Sequence, residues 1–221
     1  MQKNDFVESK KNIIIIFGLL FILGLGIRFY FTPFHIPINL DGVDYFAYAV
    51  AMSRERIFPS GYLLTNFGWP SFVSIFFTFT KNVDMLTLMD LQRVLSIIIS
   101  VLTIVPIYFL TKIFFKKQIA LLATILFLFD PRIIENSILG ITDGIFILLT
   151  ILTILFIFYK KSSLIYLSFI FVALAVFVRY EGLLLIIPLL VSYAIKNKKE
   201  KILSIRLLVC ISLFLIIIIP I

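Results

Sequence analysis

Apolar runs long enough to cross a bilayer govern what this chain can become. Asn12–Phe31 carries a single charge, Arg28. About 20 apolar residues are what a helix needs to cross the roughly 30 Å hydrocarbon layer. Further runs follow at Asp90–Phe115, with Pro106 as a tolerated kink, and at Ile119–Phe129, Gly144–Tyr159, Leu164–Val178, Leu183–Ile195 and Ile202–Ile221. The chain is 62% hydrophobic and 14% charged, where soluble domains run near half and a quarter. A soluble globular fold is therefore excluded, and so is disorder, since no polar low-complexity tract exists. The lone Cys210 excludes a disulfide framework, and the lone His35 excludes a site built on a histidine pair. The expectation is an all-α, polytopic membrane protein of about seven transmembrane helices. It forms one domain over residues 1–221, with a first outer loop, 32–89, that contains interfacial helices.

Lys3, Lys10 and Lys11 before the first run also suit a signal peptide. The run is too long for that, and no small-x-small cleavage pattern follows, so it reads as a retained anchor. With the N-terminus cytoplasmic and the spans alternating, thirteen cations but only three acids fall inside. Seven cations and nine acids fall outside. This is the positive-inside pattern of a multi-pass cell-membrane protein, and it makes Leu164–Ile195 a hairpin. The net charge of +8 thus reports orientation and calls for no nucleic-acid partner. Inside cations are almost all lysine, whereas outside ones are almost all arginine, whose planar fork suits phosphate or carboxylate.

Two spans are short. Eleven residues from Ile119 cover about 16 Å and fifteen from Leu164 about 22 Å. Their outer ends then lie below the membrane surface, where charged groups are functional candidates. Arg179, Glu181, Asp130, Arg132, Glu135 and Asp143 qualify. In the first outer loop a helix is expected from Gly42 to about Ile57. Asp41 would cap it and Asp44 would sit in its first turn. Val43, Phe46, Ala47 and Val50 form a stripe toward the membrane. Ser71–Thr80 is too short to span and reads as interfacial, with Trp69 at headgroup level. Asp41 and Asp44 among Tyr45, Phe46 and Tyr48 suit a sugar-handling site, with carboxylates for hydroxyls and rings for sugar faces. N-cap duty alone also explains Asp41.

The layout resembles the GT-C superfamily of integral-membrane glycosyltransferases. The segment Asp41 to Ala49 is similar to the acidic motif of their first outer loop. Phe129-Asp130-Pro131-Arg132 through Asn136-Ser137 and Gly140-Ile141-Thr142-Asp143 resembles the outer loop and following acid between the third and fourth spans. Val178-Arg179-Tyr180-Glu181-Gly182 resembles an R-x-E-G element at a later outer hairpin. Asn66-Phe67-Gly68-Trp69-Pro70 and Leu91-Gln92-Arg93-Val94 look like archaeal members grouped with protein mannosyltransferases. The resemblance implies transfer of a sugar from a polyprenyl- or dolichyl-phosphate donor to a protein or glycan acceptor on the outer face. Asp41 and Asp44 would be catalytic, as base or as ligands of a divalent cation (Mg or Mn). Arg179, Arg132 and Arg28 would bind the donor phosphate, and Asp143, Glu181, Glu135 and Tyr45 the substrates. Family members carry further spans, so a chain that stops at Ile221 inside a span is expected to be a truncated product or a fragment.

Two other classes compete. A transporter or lipid flippase also has buried charges and short spans, but it favours inverted repeats and broken helices at midplane. No repeat is seen, and the charges sit at span ends. A structural membrane subunit explains the spans and leaves the nine outer acids without a reason.

Overall fold

The computed structural model describes residues 2–39, 41–56, 66–80, 83–159, 164–196 and 205–218. Among these the chain is helical and contains no strand. The helices are α1 (Gln2–Phe31), α2 (Asp41–Glu55), α3 (Gly68–Thr78), α4 (Met85–Leu102), α5 (Ile104–Phe114) and α6 (Lys117–Leu128). They continue with α7 (Pro131–Ile138), α8 (Asp143–Phe158) and α9 (Ile165–Val178), a 3-10 turn (Tyr180–Leu185), α10 (Ile186–Lys196) and α11 (Ile205–Ile218). Several expected features lie outside the described residues: the helix end at Ile57, Lys81, the lysines at 160, 161, 198, 199 and 201, and both ends of the Ile202–Ile221 span.

Each expected apolar run is helical where it is described. Asn12–Phe31 and Met85–Phe114 are long and apolar enough to cross a membrane on their own, and the remaining apolar helices are 10–17 residues long. Helix α1 buries little of itself, and Ile14, Ile22 and Leu23 stand open on its surface. In water such a face would be costly, whereas in lipid it is the solvated one.

The second span departs from expectation at both ends. It starts at Met85, five residues early, because Asp84 caps it: its carboxylate accepts from the Thr87 N–H at 2.7 Å. Asp90 is therefore buried inside the helix and does not open it. The helix breaks between Leu102 and Ile104. Pro106 lacks an N–H, and its ring crowds the carbonyl four residues back, at Leu102. The expected kink thus lies one turn upstream of the proline itself.

Asp130 ends α6 and at once caps α7, accepting from the N–H groups of Arg132 and Ile133 with Pro131 in the first turn. The short helix α7 has no counterpart in the apolar runs of the sequence. The hairpin turn is real: Arg179 adopts an extended backbone (φ −150°, ψ 127°) and splits α9 from the 3-10 turn.

The described helices between α1 and α4 pack on the rest of the protein. The buried face of α2 is Gly42, Tyr45, Phe46, Tyr48 and Ala49, against α3 and α4. Val43, expected on the membrane stripe, is exposed. Trp69 is fully enclosed and donates its indole N–H to the Gly140 carbonyl at 2.7 Å, so it does not present a ring to headgroups. A second core joins α9, α10 and α11 through Phe169, Val172, Leu189, Tyr193 and Phe214.

Candidate functional site

Three chain segments that are distant in sequence converge at one point: the first turn of α2, the 139–143 link into α8, and the turn after α9. The convergence follows from local chemistry. Gly140 has φ +70°, a left-handed conformation that favours glycine, and its carbonyl accepts from both Trp69 and Gln92. Gly182 closes the second turn, its N–H donating to the Arg179 carbonyl at 2.9 Å. A Cβ on Gly182 would meet the Val176 backbone nitrogen at 2.7 Å, so only glycine lets the chain fold back on α9 this closely.

Arg179 is the centre. One terminal nitrogen donates to Asp143 Oδ1 at 2.8 Å and the other to Glu181 Oε1 at 3.0 Å, and the guanidinium lies 5.5 Å from the Phe146 ring centre. Arg179 and Glu181 are two residues apart and would not face each other on a helix; the extended residue and the 3-10 turn bring them together. The group is partly exposed, with the Arg179 side chain at 31%. The Glu181 hydrogen bond, with the Asp143 charge in support, raises the Arg179 pKa above its ordinary value despite desolvation. The same hydrogen bond holds Glu181 below the usual carboxylate range.

Tyr45 and Asp41 complete the cluster from α2. They are four residues apart and share a helix face. The Tyr45 hydroxyl is hydrogen-bonded to the Thr142 side chain. Desolvation pushes the phenol pKa up, and the charges of Asp41 and Asp143 add to this while Arg179 opposes it. The phenol is thus held protonated, with a polar handle beside two acids. Asp41 and Asp44 are both exposed.

Other expected site residues lie elsewhere. Arg28 is fully buried. It donates to the carbonyls of Gly24 and Leu128 and to Ser100 Oγ, each at 3.2 Å. It therefore caps the C-terminal end of α6 and ties α1, α4 and α6 together. Arg132 and Glu135 are exposed on α7, and no contact places them in the cluster. Residues that sequence reading did not assign to the site are Thr142, Phe146 and Gln92. Gln92 had a signal, since an amide inside an apolar span must find partners.

Among the described residues no three His, Cys, Asp or Glu side chains gather as a metal-binding group. Asp143 and Glu181 are engaged by Arg179, which leaves Asp41 and Asp44 as a two-carboxylate set. Such a pair would need a substrate phosphate and waters to complete the shell of a divalent cation.

A family model described as dolichyl-phosphate-mannose-protein mannosyltransferase matches residues 70–221. The chain belongs to the dolichyl-phosphate-mannose-protein mannosyltransferase family. Its class is therefore that of a GT-C-type membrane glycosyltransferase. The matched part contains Asp143, Arg179 and Glu181, while α1, the whole of α2 with Asp41 and Tyr45, and Trp69 precede it. No curated protein and no solved structure matches the chain.

Proposed function

We propose that the chain transfers a mannose-class sugar from a polyprenyl-phosphate carrier to a hydroxyl of a protein or glycan acceptor on the outer face, with Asp41 as base. The observation that supports this reading is the Asp143–Arg179–Glu181 cluster, with Tyr45 of α2 within reach of its charges and of Asp41 one turn away. Tyr45 connects the Asp41 end of α2 to a cation held between two acids, in a family named for a lipid-phosphate sugar donor.

The step is an inverting displacement. Asp41 accepts the acceptor hydroxyl proton as that oxygen bonds to the sugar C1. The bond from C1 to the carrier phosphate breaks, and the electron pair leaves with the phosphate. Negative charge grows there, and a guanidinium already held in place stabilises it without reorganising. Arg179 uses two of its five N–H donors on Asp143 and Glu181, so the fork keeps donors for phosphate oxygens. Tyr45 stays protonated and, with its ring packed in the core, holds Thr142 beside the acids.

Membranes containing the full chain, supplied with a radiolabelled polyprenyl-phosphate-mannose and a serine- and threonine-containing peptide, test the reading. Label should move to the peptide. Absence of transfer from any polyprenyl-phosphate sugar sinks it.

A further inference from the structure

Gln92 lies at the start of the third turn of α4 and is fully buried. Its amide NH2 donates to the Gly42 carbonyl at 3.1 Å and to the Gly140 carbonyl at 2.8 Å. Gly42 directly follows Asp41, and Gly140 lies three residues before Asp143. One amide group therefore links the two segments that carry the two halves of the cluster, which lie about a hundred positions apart in sequence. The fit is close on all sides. A Cβ on Gly140 would stand 3.3 Å from Gln92 Cγ, and one on Gly42 would stand 2.9 Å from the Leu139 carbonyl oxygen. The Gly140 carbonyl also takes the Trp69 indole N–H, which fills both lone pairs and leaves it one orientation.

We propose that Gln92 is a positioning residue: by sharing its amide hydrogens between Gly42 and Gly140 it sets the separation of Asp41 from the Asp143–Arg179 pair. The inference rests on the transfer reaction proposed above. Gln92 touches no substrate. It acts through the backbone on either side, and small displacements of reacting groups are expensive. An error near 1 Å can cost about 10²-fold in rate. Trp69 shares the Gly140 carbonyl but has no bond to α2, so it separates anchoring of the link from registration of the two halves.

The test compares Gln92→Met, which keeps the volume and removes both donors, with Trp69→Phe, which removes one. Gln92→Met should lower kcat for mannosyl transfer by about 10²-fold with donor KM changed less than about threefold. Trp69→Phe should lose far less kcat for a comparable fall in the unfolding midpoint. A second measurement needs no activity. Spin labels on Val43→Cys and Arg132→Cys, in a Cys210→Ser background, should give a narrow distance distribution that broadens or shifts with Gln92→Met. If Gln92→Met does not reach the membrane, Gln92→Asn, whose shorter amide can serve one carbonyl only, must show the same pattern. Parental kcat, an unchanged distance distribution, or kcat losses that follow the unfolding midpoint equally in both variants would overturn the assignment. A parent chain that transfers no sugar defeats the proposed function instead, and the label distances still decide Gln92.

Discussion

Arg179 donates to Asp143 across 36 positions of sequence, at 2.8 Å, and thereby joins the end of α9 to the start of α8. The bond locks the only extended break in the α9–α10 hairpin onto the first turn of a neighbouring span. A cation between two acids is also what the local fold requires, since an unpaired guanidinium at the end of a fourteen-residue apolar helix would be costly. Arg179→Lys separates the two roles. The ammonium keeps the charge and loses the fork. Because the pairs are about a third exposed, the stability loss should be under about 1 kcal/mol. Transfer should fall at least about tenfold, since bidentate geometry is lost. Unchanged donor KM and kcat in Arg179→Lys would leave the residue as a hairpin clamp alone.

Asp41→Asn should abolish transfer while the protein still inserts and unfolds at its parental temperature, because the side chain is exposed. Asp44→Asn should retain a measurable rate. Substantial turnover in Asp41→Asn, followed with the radiolabelled donor, removes Asp41 from the site.

Stability should fall in acid. Glu181 and Asp84 both have folded pKa values below their ordinary ones, through Arg179 and through the Thr87 amide respectively. A depressed carboxylate contributes stability above its unfolded pKa and loses it as pH falls through the folded value. The unfolding midpoint should therefore decline from about pH 5 downward. Glu181→Gln should flatten part of that decline, and an identical pH profile in the variant argues against the pairing.

Gly182→Ala should destabilise more than Gly140→Ala. The first forces a methyl group against the Val176 backbone, 2.7 Å away, which cannot yield without moving α9. The second places alanine at φ +70°, a strain of order 1 kcal/mol. Thermal unfolding in detergent ranks the two, and the reverse order contradicts the tight turn.

Orientation can be read by labelling. With Cys210 replaced by serine, cysteines at Asn39 and at the exposed Tyr180 should react with an impermeant reagent from outside. One at Asn197, which lies outside the described residues, should not. Reaction at Asn197 from outside inverts the topology.

Hydropathy alone was enough for the helical class, the apolar segments and most of their ends, because each depends on neighbours within a few residues. Asp130 as a stop and Arg179 as a break belong here too, since a capping acid next to proline and a charged tetrad between apolar runs act locally. The site was legible only as a set of candidates. Sequence names Asp41, Tyr45, Asp143, Arg179 and Glu181 as charged or aromatic groups at span ends, and it names Arg28, Arg132 and Glu135 on the same grounds. Helix packing separates them. It turns Arg28 toward Leu128, a hundred positions away, and closes it off. It buries Asp90 as the partner of Arg93 at 2.8 Å and of the His35 backbone N–H at 3.0 Å, where the sequence suggested a surface acid at a helix start. Above all it makes Gln92 the link between Gly42 and Gly140. Which carbonyls a buried amide satisfies depends on how α2, α4 and the link before α8 meet in space, and no local period in the chain encodes that meeting.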